Sequence, residues 1–252
     1  MSGENYERFR ALTYDKFRQM ALDETLSLNE KVGFPDSYRK GAEEQILTDI
    51  ASKLSNLRQR EKLIMDIGPG CSNLARLFLD LCRRNGHKAI FVDSAEMLGY
   101  LPDEPFLMKV PGYYPSSCDA LFNQYRGKID AILTYSVLQY VFVESNVFDF
   151  LDQSLTLLSE RGEMLIGDIP NISKRKRFFA SQAGVAFHSS FMGTDVPPKV
   201  EFNTLELSQI DDAVVSAIVM RCRTAGFDAY IMPQAEGLPF ANRREDILIR
   251  KP

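Results

Sequence analysis

The sequence has few of the residues that build metal centres, disulfide frameworks or membrane spans. Its 252 residues include two histidines and four cysteines, and no two cysteines form a C-x-x-C pair. This cysteine usage fits a reducing compartment. No apolar run approaches the length needed to cross a bilayer, and no internal repeat or low-complexity tract is present. We therefore expect a soluble, cytoplasmic protein without a membrane partner.

An excess of charge of either sign is also missing. Thirty Lys and Arg residues against 34 Asp and Glu residues give a formal net charge of −4. This balance argues against a broad nucleic-acid-binding face, although it allows a local basic patch. With 45% hydrophobic and 25% charged residues, the composition is that of an ordinary globular chain. The chain is long enough to bury a full core, and we expect one domain over residues 1–252.

A short apolar run over residues 63–67 is followed by two glycines at alternate positions. The run has the length of a buried parallel strand and is too short for a helix of its own. Gly68 and Gly70 let the main chain turn sharply and come close to a ligand, because no Cβ stands in the way. Asp66 lies two residues before the first glycine. It would repel a pyrophosphate and attract an ammonium group.

The region after the glycines predicts a helix and then a second strand that ends on an acid. Ser72 or Asn73 can cap the helix, and Gly86 ends it. The strand over residues 89–92 closes on Asp93, which is placed to accept hydrogen bonds from both hydroxyls of a ribose. Dinucleotides and S-adenosylmethionine both use this layout. The dinucleotide fingerprint G-x-G-x-x-G needs a third glycine where this chain has Asn73.

These residues resemble the motifs of the class I S-adenosylmethionine-dependent methyltransferases. Asp66, Gly68 and Gly70 match the first motif of that family, with Ser72 in place of the usual third glycine. Residues 92–98 resemble its second-strand motif and are one residue shorter than the common form. Two further segments resemble the family's fourth strand and the start of the helix after it, residues 130–133 and 136–141.

The resemblance implies an α/β fold with a doubly wound, mostly parallel seven-stranded sheet, the Rossmann-like methyltransferase fold. It covers residues 62–170 and 226–251 and includes a closing antiparallel hairpin, which dinucleotide-binding folds normally lack. An N-terminal helical cap and a lid insertion after the fifth strand lie outside it. We expect a helical cap over residues 1–60 and a cofactor-binding core over residues 61–170. A lid over residues 171–210 follows, and the last helix and the C-terminal hairpin occupy residues 211–252.

The resemblance also implies S-adenosylmethionine as the cofactor, S-adenosylhomocysteine as the product, and roles for individual residues. Asp66 would hold the methionine ammonium, the glycines would admit the methionine portion, and Asp93 would bind the ribose. Tyr38 and Arg39, at the start of a cap helix, could reach the methionine carboxylate, or they could only pack on the surface. The full set of cofactor-binding candidates is Tyr38, Arg39, Asp66, Gly68, Gly70, Asp93, Ser94 and Tyr135.

Two positions depart from the family pattern. After the third strand the family usually carries an acid that meets the adenine amino group, whereas this chain has Tyr113 and Tyr114, which could stack on a base or pack in the core. Metal-dependent O-methyltransferases need acids at the ends of both the fourth and fifth strands. Here Asp168 and Asn171 lie near the end of the fifth strand, but no acid lies at the end of the fourth. Because two oxygen ligands are too few for a hard cation, we expect no metal.

Three residues are candidates for contact with the substrate. Gln139, after the fourth strand, could hold a hydroxyl or an adenine edge, or could merely cap a turn. Arg175 lies in a run of four basic residues, which either receives a phosphate or carboxylate or forms a solvated helix face. His188 is the histidine placed to act as a general base near neutral pH, unless it is structural. His87 lies at the opposite end of the second strand from the expected ligand site.

The sequence therefore predicts an enzyme that moves the methyl group of S-adenosylmethionine, by SN2 displacement, to an oxygen or nitrogen of a small anionic or sugar-linked molecule. The charged sulfonium activates the leaving group, so the protein has chiefly to align the reacting atoms and exclude water. Three alternatives stay open. They are a nucleic-acid methyltransferase, a non-catalytic subunit that binds S-adenosylmethionine, and a nicotinamide-dependent dehydrogenase.

Overall fold

The computed structural model describes residue 9 and residues 12–35 and 41–252. Within these ranges the strands are β1 (Leu63–Ile67), β2 (Lys88–Asp93), β3 (Leu107–Pro111), β4 (Ile129–Tyr135), β5 (Leu158–Pro170), β6 (Asp228–Pro233) and β7 (Arg244–Arg250). The helices are α1 (Tyr14–Leu22), α2 (Leu28–Lys31), α3 (Glu43–Lys53), α4 (Asn73–Asn85), α5 (Ala95–Leu98), α6 (Asp119–Tyr125), α7 (Leu138–Glu144), α8 (Val147–Leu157), α9 (Ile172–Phe179), α10 (Gln182–Met192) and α11 (Asp212–Thr224).

The seven strands of the described residues form one sheet in the order β3-β2-β1-β4-β5-β7-β6. The strands β1 to β5 pair in parallel, and β7 runs antiparallel to both β5 and β6. The strand order reverses between β1 and β4, and a doubly wound sheet binds its ligands beside such a point. The predicted fold, a doubly wound, mostly parallel sheet with a closing antiparallel hairpin, is confirmed.

The central strands are buried on both faces of the sheet. In β1, Ile64 packs into the core layer that includes α3 and α4, whereas Met65 packs into the layer that includes α8 and α11. In β4, Leu133 and Ile132 divide between the two layers in the same way. Because both faces of such strands are covered, their sequences are continuous apolar runs, and their ends could be predicted closely.

The junction between α8 and β5 differs from the prediction. The sequence suggests that Gly162 ends the helix and that the strand starts at Glu163. The helix ends instead at Leu157 and the strand begins at once, because Leu158 pairs with Ile129 of β4. The left-handed residue of this segment is Arg161, with φ of 61°, rather than the glycine.

The predicted lid over residues 171–210 is more regular than its sequence suggests. Helices α9 and α10 fill its first half, and the irregular backbone is confined to residues 193–210. Helix α9 begins directly after β5, with Asn171 as its cap, since the side-chain oxygen of Asn171 accepts from the N–H groups of Ser173 and Lys174. The second half of the closing hairpin starts at Arg244, three residues before the predicted Ile247.

The described part of the segment before β1 contains the helices α1, α2 and α3. Thr13 caps α1, and a capping box between Ser27 and Glu30 begins α2, a short helix that was not predicted. The predicted cap of the following helix, Asp36 or Ser37, lies outside the described residues. In the described ranges no helix is both long enough and apolar enough to span a bilayer.

Candidate functional site

A cleft opens at the carboxyl ends of β1, β2 and β4. It contains about 1170 Å³ of empty space, its solvent-filled mouth included. The loop after β1, the end of β2 and the end of β4 line it, together with side chains of α1 and α7. This is the place where doubly wound sheets bind their ligands. The sequence motifs of β1 and β2 therefore meet in one site.

The loop after β1 requires glycine at two positions. Gly68 and Gly70 have φ values of 74° and 64°, in the left-handed region. A Cβ on Gly68 would lie 2.6 Å from Cγ2 of Val137, and a Cβ on Gly70 would lie 2.5 Å from Cγ1 of Val32. Both the backbone conformation and the lack of space at these two positions therefore disfavour any residue with a side chain. The bare backbone of this loop can approach a ligand closely.

Asp93, the last residue of β2, is fixed by the glycine loop. Its Oδ2 accepts a hydrogen bond from the N–H of Gly70 at 2.9 Å, and its Oδ1 accepts one from the N–H of Ser94 at 2.7 Å. Burial raises the pKa of Asp93 to about 6, although these two hydrogen bonds act in the opposite direction. Each carboxylate oxygen keeps a further lone pair with which it can accept a hydroxyl of a ligand.

Asp66 places a second carboxylate in the same cleft. Its side chain is only 4% exposed, and no hydrogen bond or ion pair to this carboxylate occurs within the described residues. Burial raises the pKa of Asp66 well above its usual value, and the negative charge of Asp93 raises it further. A cation bound beside Asp66 would stabilise the ionised carboxylate.

The charge of the cleft is of one sign. Its charged lining residues, within the ranges that the structure describes, are Asp66, Asp93 and Glu144, and no basic residue is among them. Because charges in a partly buried site are weakly screened, such a cleft repels a pyrophosphate and favours a cationic ligand. This electrostatic property favours S-adenosylmethionine over a dinucleotide, the two kinds of ligand between which the glycine motif did not distinguish.

Helix α1 forms a wall of the cleft and is held at several points. The N–H of Tyr14 donates to Oε2 of Glu144 at 3.0 Å, and Nη2 of Arg18 donates to Oε1 of Glu96 at 2.7 Å. The ammonium of Lys31, itself 3% exposed, donates to backbone carbonyls at the end of α1, with a distance of 2.8 Å to that of Ala21. These contacts fix α1 at the edge of the cleft.

The two tyrosines after β3 have different surroundings. Tyr114 is buried, shares a hydrogen bond of 2.9 Å with Ser154, and packs edge-on to Phe150 in the core. Tyr113 also lines the cleft, and its ring lies edge-on to Tyr14 with 4.8 Å between centroids. Tyr113 is therefore the better placed of the two to contact a base, while Tyr114 is chiefly a packing residue.

Two neighbouring strands carry strained residues at the edge of the cleft. Ser136, after β4, has φ of 64°, and Asp168, near the end of β5, has φ of 59°. The hydroxyl of Ser136 donates a hydrogen bond to the Asp168 carboxylate, and the N–H of Ser136 donates to the carbonyl of Gly167 at 2.9 Å. Such conformations cost of the order of 1–3 kcal/mol for each residue and cluster at functional sites. Ser136 lines the cleft, whereas Asp168 is buried.

A buried polar network supports this pair. Nη1 of Arg244 donates to Oδ2 of Asp168 at 2.8 Å, and Oδ1 of Asp246 accepts from the N–H of Asp168 at 2.8 Å. Nζ of Lys53 lies 2.6 Å from Oδ2 of Asp49 and 2.7 Å from Oδ2 of Asp246. The network therefore ties β5 and β7 to α3 behind the carboxyl edge of the sheet.

Tyr135 and Gln139 have different positions relative to the cleft. Tyr135 lines it, with a ring so close to Gly167 that a Cβ there would lie 2.4 Å from Cδ2 of the tyrosine. Gln139 does not line it. Its Nε2 donates to the carbonyl of Ser136 at 2.7 Å, while its Oε1 is buried without a partner within the described ranges. Gln139 therefore makes the turn-capping contact, one of its two predicted roles.

The remaining candidates are dispersed. Ser94 contacts Asp93 through its N–H, but its hydroxyl caps α5 by accepting from the N–H of Met97 at 3.2 Å. His188 lies on α10 and is not among the residues that line the cleft; its ring is edge-on to that of Phe179 with 6.3 Å between centroids. Arg175 lies on α9. Tyr38 and Arg39 fall outside the described residues, which also contain no cluster of three or more metal-ligating side chains.

Several residues of the site were missed. Tyr14, Phe17 and Glu144 line the cleft, and Arg244 binds the strained pair. Asp168 was considered only as a metal ligand. A polar residue beside a glycine inside an otherwise apolar strand is a signal that could have identified Asp168, but no spacing links Tyr14 to Glu144, which are 130 residues apart.

No model of a protein family and no curated protein matches the sequence. Solved structures do match. The chain is similar to the CurJ carbon methyltransferase, with a TM-score of 0.56 and 15% identity, over 97% of this chain and 66% of that one. It is also similar to the plantazolicin methyltransferase BpumL in complex with a monoazolic desmethylPZN analog and S-adenosylhomocysteine, with a TM-score of 0.55 and 11% identity over 98% of both chains.

A third similar structure is a S-adenosylmethionine-dependent methyltransferase from Aquifex aeolicus, with a TM-score of 0.50 and 11% identity over 88% of this chain and 95% of that one. The predicted resemblance is confirmed at the level of the fold. The chain has the fold of the class I S-adenosylmethionine-dependent methyltransferases.

Proposed function

We propose that the protein is an S-adenosylmethionine-dependent methyltransferase. The observation that carries the proposal is the cleft with two carboxylates, Asp66, which is buried, and Asp93, which is half-buried, and no basic residue among its described lining. S-adenosylmethionine has a positive sulfonium, an ammonium and two ribose hydroxyls, all of which carboxylates bind well. A nicotinamide dinucleotide would bring a pyrophosphate to the same two acids, and we therefore reject the dehydrogenase alternative.

Each residue of the cleft then has a definite task. Asp66 holds the methionine ammonium, and the bare backbone at Gly68 and Gly70 admits the methionine portion. Asp93 accepts the ribose hydroxyls through the lone pairs that its backbone partners leave unused. Tyr113 contacts the base. Tyr135 and Ser94 stay candidates for contact with the cofactor, and Tyr38 and Arg39 stay candidates for contact with the methionine carboxylate.

When bound, S-adenosylmethionine supplies a methyl group that its sulfonium charge has already activated. The protein then has to align the acceptor and exclude water. Ser136 lines the cleft, and its hydroxyl is oriented by Asp168, so it can hold the oxygen or nitrogen of an acceptor by a hydrogen bond. Tyr14 and Phe17 of α1 cover the cleft with aromatic surface and keep water out.

We further propose a small molecule as the acceptor, with residues 171–210 as the lid that selects it. In support, the lid begins at the carboxyl edge of the sheet, and the solved structures of similar fold include the plantazolicin methyltransferase BpumL in complex with a monoazolic desmethylPZN analog. Gln139 and Arg175 stay candidates for acceptor contacts, and His188, on α10 of the lid, stays a candidate general base.

Two alternatives have distinct signatures. A nucleic-acid methyltransferase would bind RNA or DNA with a steep dependence on salt. A non-catalytic subunit would bind S-adenosylhomocysteine, show no turnover and purify with a tightly bound partner. The net charge of −4 and the acidic cleft favour the small molecule over the nucleic acid.

We predict micromolar binding of S-adenosylhomocysteine and no binding of NAD in titration calorimetry with the purified protein. The physical reason is the charge of the cleft, which attracts the ammonium of the first ligand and repels the pyrophosphate of the second. The two titrations use the same protein preparation. Binding of NAD, or of neither ligand, would contradict the proposed function.

Replacing Asp93 with alanine should raise the dissociation constant of S-adenosylhomocysteine at least tenfold, about 1.4 kcal/mol. Because the pKa of Asp93 is raised to about 6, the wild-type protein should also lose affinity below that pH, by about tenfold between pH 7.5 and pH 5. Titration calorimetry at both pH values measures this, with Asp103→Ala, a change at a 97% exposed carboxylate, as the matched control. Unchanged affinity of Asp93→Ala would rule out the ribose assignment.

A further inference from the structure

We infer that the second half of the lid is an interface at which two copies of this chain form a dimer with twofold symmetry. The interface is formed by apolar side chains of residues 191–207 and is called the 191–207 surface below. It is independent of methyl transfer, since none of its side chains lines the cofactor cleft. Its members are Phe191, Met192, Val196, Phe202, Leu205 and Leu207.

Exposed apolar side chains are concentrated in this short segment. Among the described residues, nine large apolar side chains are more than half exposed, and six of them lie between residues 191 and 207. Leu205 and Leu207 are exposed to 87% and 77%. Single exposed apolar residues are normal on a monomer, but a concentration of them marks a contact with another molecule.

The segment is attached to the rest of the fold on both sides of its apolar residues. At its start, α10 packs on α9 through the rings of Phe187 and Phe178, with 5.8 Å between centroids. Near its end, Nζ of Lys176 on α9 lies 2.7 Å from Oε1 of Glu206. Beyond it, Ile210 is buried, and its carbonyl accepts a backbone N–H from the start of α9 at 2.8 Å. The two halves of the segment are therefore joined to α9, directly or through α10, and can form one surface.

The exposed apolar area has the size of a dimer interface. At about 175 Å² for a large apolar side chain, six side chains that are 54–87% exposed present roughly 700 Å². The largest apolar patch of a typical monomer covers about 300–600 Å². Each partner of a standard protein–protein interface contributes about 800 Å². A second copy would therefore cover the 191–207 surface with an area that is sufficient for a stable dimer.

The charges of the segment favour a second copy as the partner. Three of its four charged side chains are in ion pairs, Lys199 with Glu201 at 2.7 Å and Glu206 with Lys176, which leaves Asp195. A surface with little net charge can face an identical surface without strong repulsion, and twofold dimers are the commonest oligomers. An anionic bilayer, in contrast, attracts clusters of basic residues, and this segment has a single lysine against three acids.

Sedimentation equilibrium of the purified protein tests the dimer. At micromolar concentration the wild type should have twice the 28.6 kDa mass of the single chain. Leu205→Glu and Met192→Glu bring like charges together across the twofold axis, so each should weaken dimerisation at least tenfold.

Leu22→Glu and Met220→Glu are the matched controls, because they make the same changes at side chains that are 68% and 58% exposed outside the segment. Both should leave the dimerisation constant within twofold. Circular dichroism with the same helix content in all four variants shows that they are folded.

Cysteine cross-linking locates the interface directly. The four native cysteines are buried, so Leu205→Cys or Leu207→Cys supplies the exposed thiol. With a mild oxidant, at least one of these two variants should form disulfide-linked dimers, because residues near a twofold axis meet their own copies. Met220→Cys should form at least tenfold fewer.

A monomeric wild type, or a dimer that the control variants weaken as much as Leu205→Glu does, would overturn the inference. A monomer that sediments with phosphatidylglycerol vesicles, or that purifies with another protein, would overturn it as well, because the surface would then have a different partner.

Discussion

The substitution Asp66→Asn is expected to weaken the binding of S-adenosylhomocysteine at least tenfold. In the protein without ligand, the same substitution is expected to increase the free energy of unfolding at alkaline pH. The loss of affinity follows from removing a charge-assisted hydrogen bond to the ammonium, worth about 1.5–3 kcal/mol. The gain in stability follows because the buried carboxylate has no partner among the described residues, so its ionisation opposes folding.

The pH dependence of this gain has a definite sign. The pKa of Asp66 is raised in the folded protein, so its favourable contribution is present at low pH and is lost as the pH rises through the folded pKa. Asparagine does not titrate. Urea unfolding should therefore show little difference between the two proteins at pH 5 and a more stable variant at pH 8.5, by about 1–3 kcal/mol.

Asp103→Asn, at the exposed carboxylate already used as a control, should change neither affinity nor stability. The assignment of Asp66 would be refuted by a variant that binds S-adenosylhomocysteine as the wild type does. A variant that is less stable than the wild type at pH 8.5 would refute the electrostatic argument. It would mean that the free protein already contains a partner that stabilises the ionised Asp66 carboxylate.

Lys53→Met is expected to lower the free energy of unfolding by about 3–5 kcal/mol at pH 8, since removing one partner of a buried ion pair leaves the others uncompensated. The side chain of Lys53 is 6% exposed, and its two partners, Asp49 and Asp246, are 8% and 0% exposed. Burial raises the pKa of Asp246 and the charge of Lys53 counteracts it, so in the variant this carboxyl takes up a proton more readily. The loss should therefore be smaller at pH 5 than at pH 8.

Urea unfolding at the two pH values measures this effect. Lys199→Met is the matched control, because Lys199 is 86% exposed and its ion pair with Glu201 lies in solvent, where such pairs contribute little. A loss below about 1 kcal/mol for Lys53→Met would mean that the triad does not hold α3 to β7 as described.

The fold could be predicted where burial alone decides the structure. The sequence predicts β1 over residues 63–67 and the fourth strand over residues 129–135, and the structure has these bounds. Both faces of each strand are covered, which makes each of them a continuous apolar run. The predicted end of α8 was wrong because the end of this helix depends on strand pairing. Leu158 pairs with β4 four residues before Gly162, the glycine that was expected to end the helix. The left-handed turn there falls on Arg161, where local preference alone would favour Gly162.

The residues of the candidate site also differ in how well the sequence could predict them. Asp66, Gly68, Gly70 and Asp93 lie within one strand-helix-strand unit, so their meeting follows from local spacing. Residues that arrive from distant segments, such as Glu144, have no such spacing. His188 was selected because it belongs to the predicted lid, whereas the other histidine lies at the far end of β2. The structure places it in that segment, on α10, but not among the described residues that line the cleft.

The bond between Arg18 and Glu96 joins α1 to α5, the short helix that follows Asp93. The two side chains are 45% and 18% exposed, and ion pairs of this kind contribute little free energy. Under the proposed function, α1 would therefore separate from α5 at small cost, and exchange of the nucleoside would not require the sheet to change.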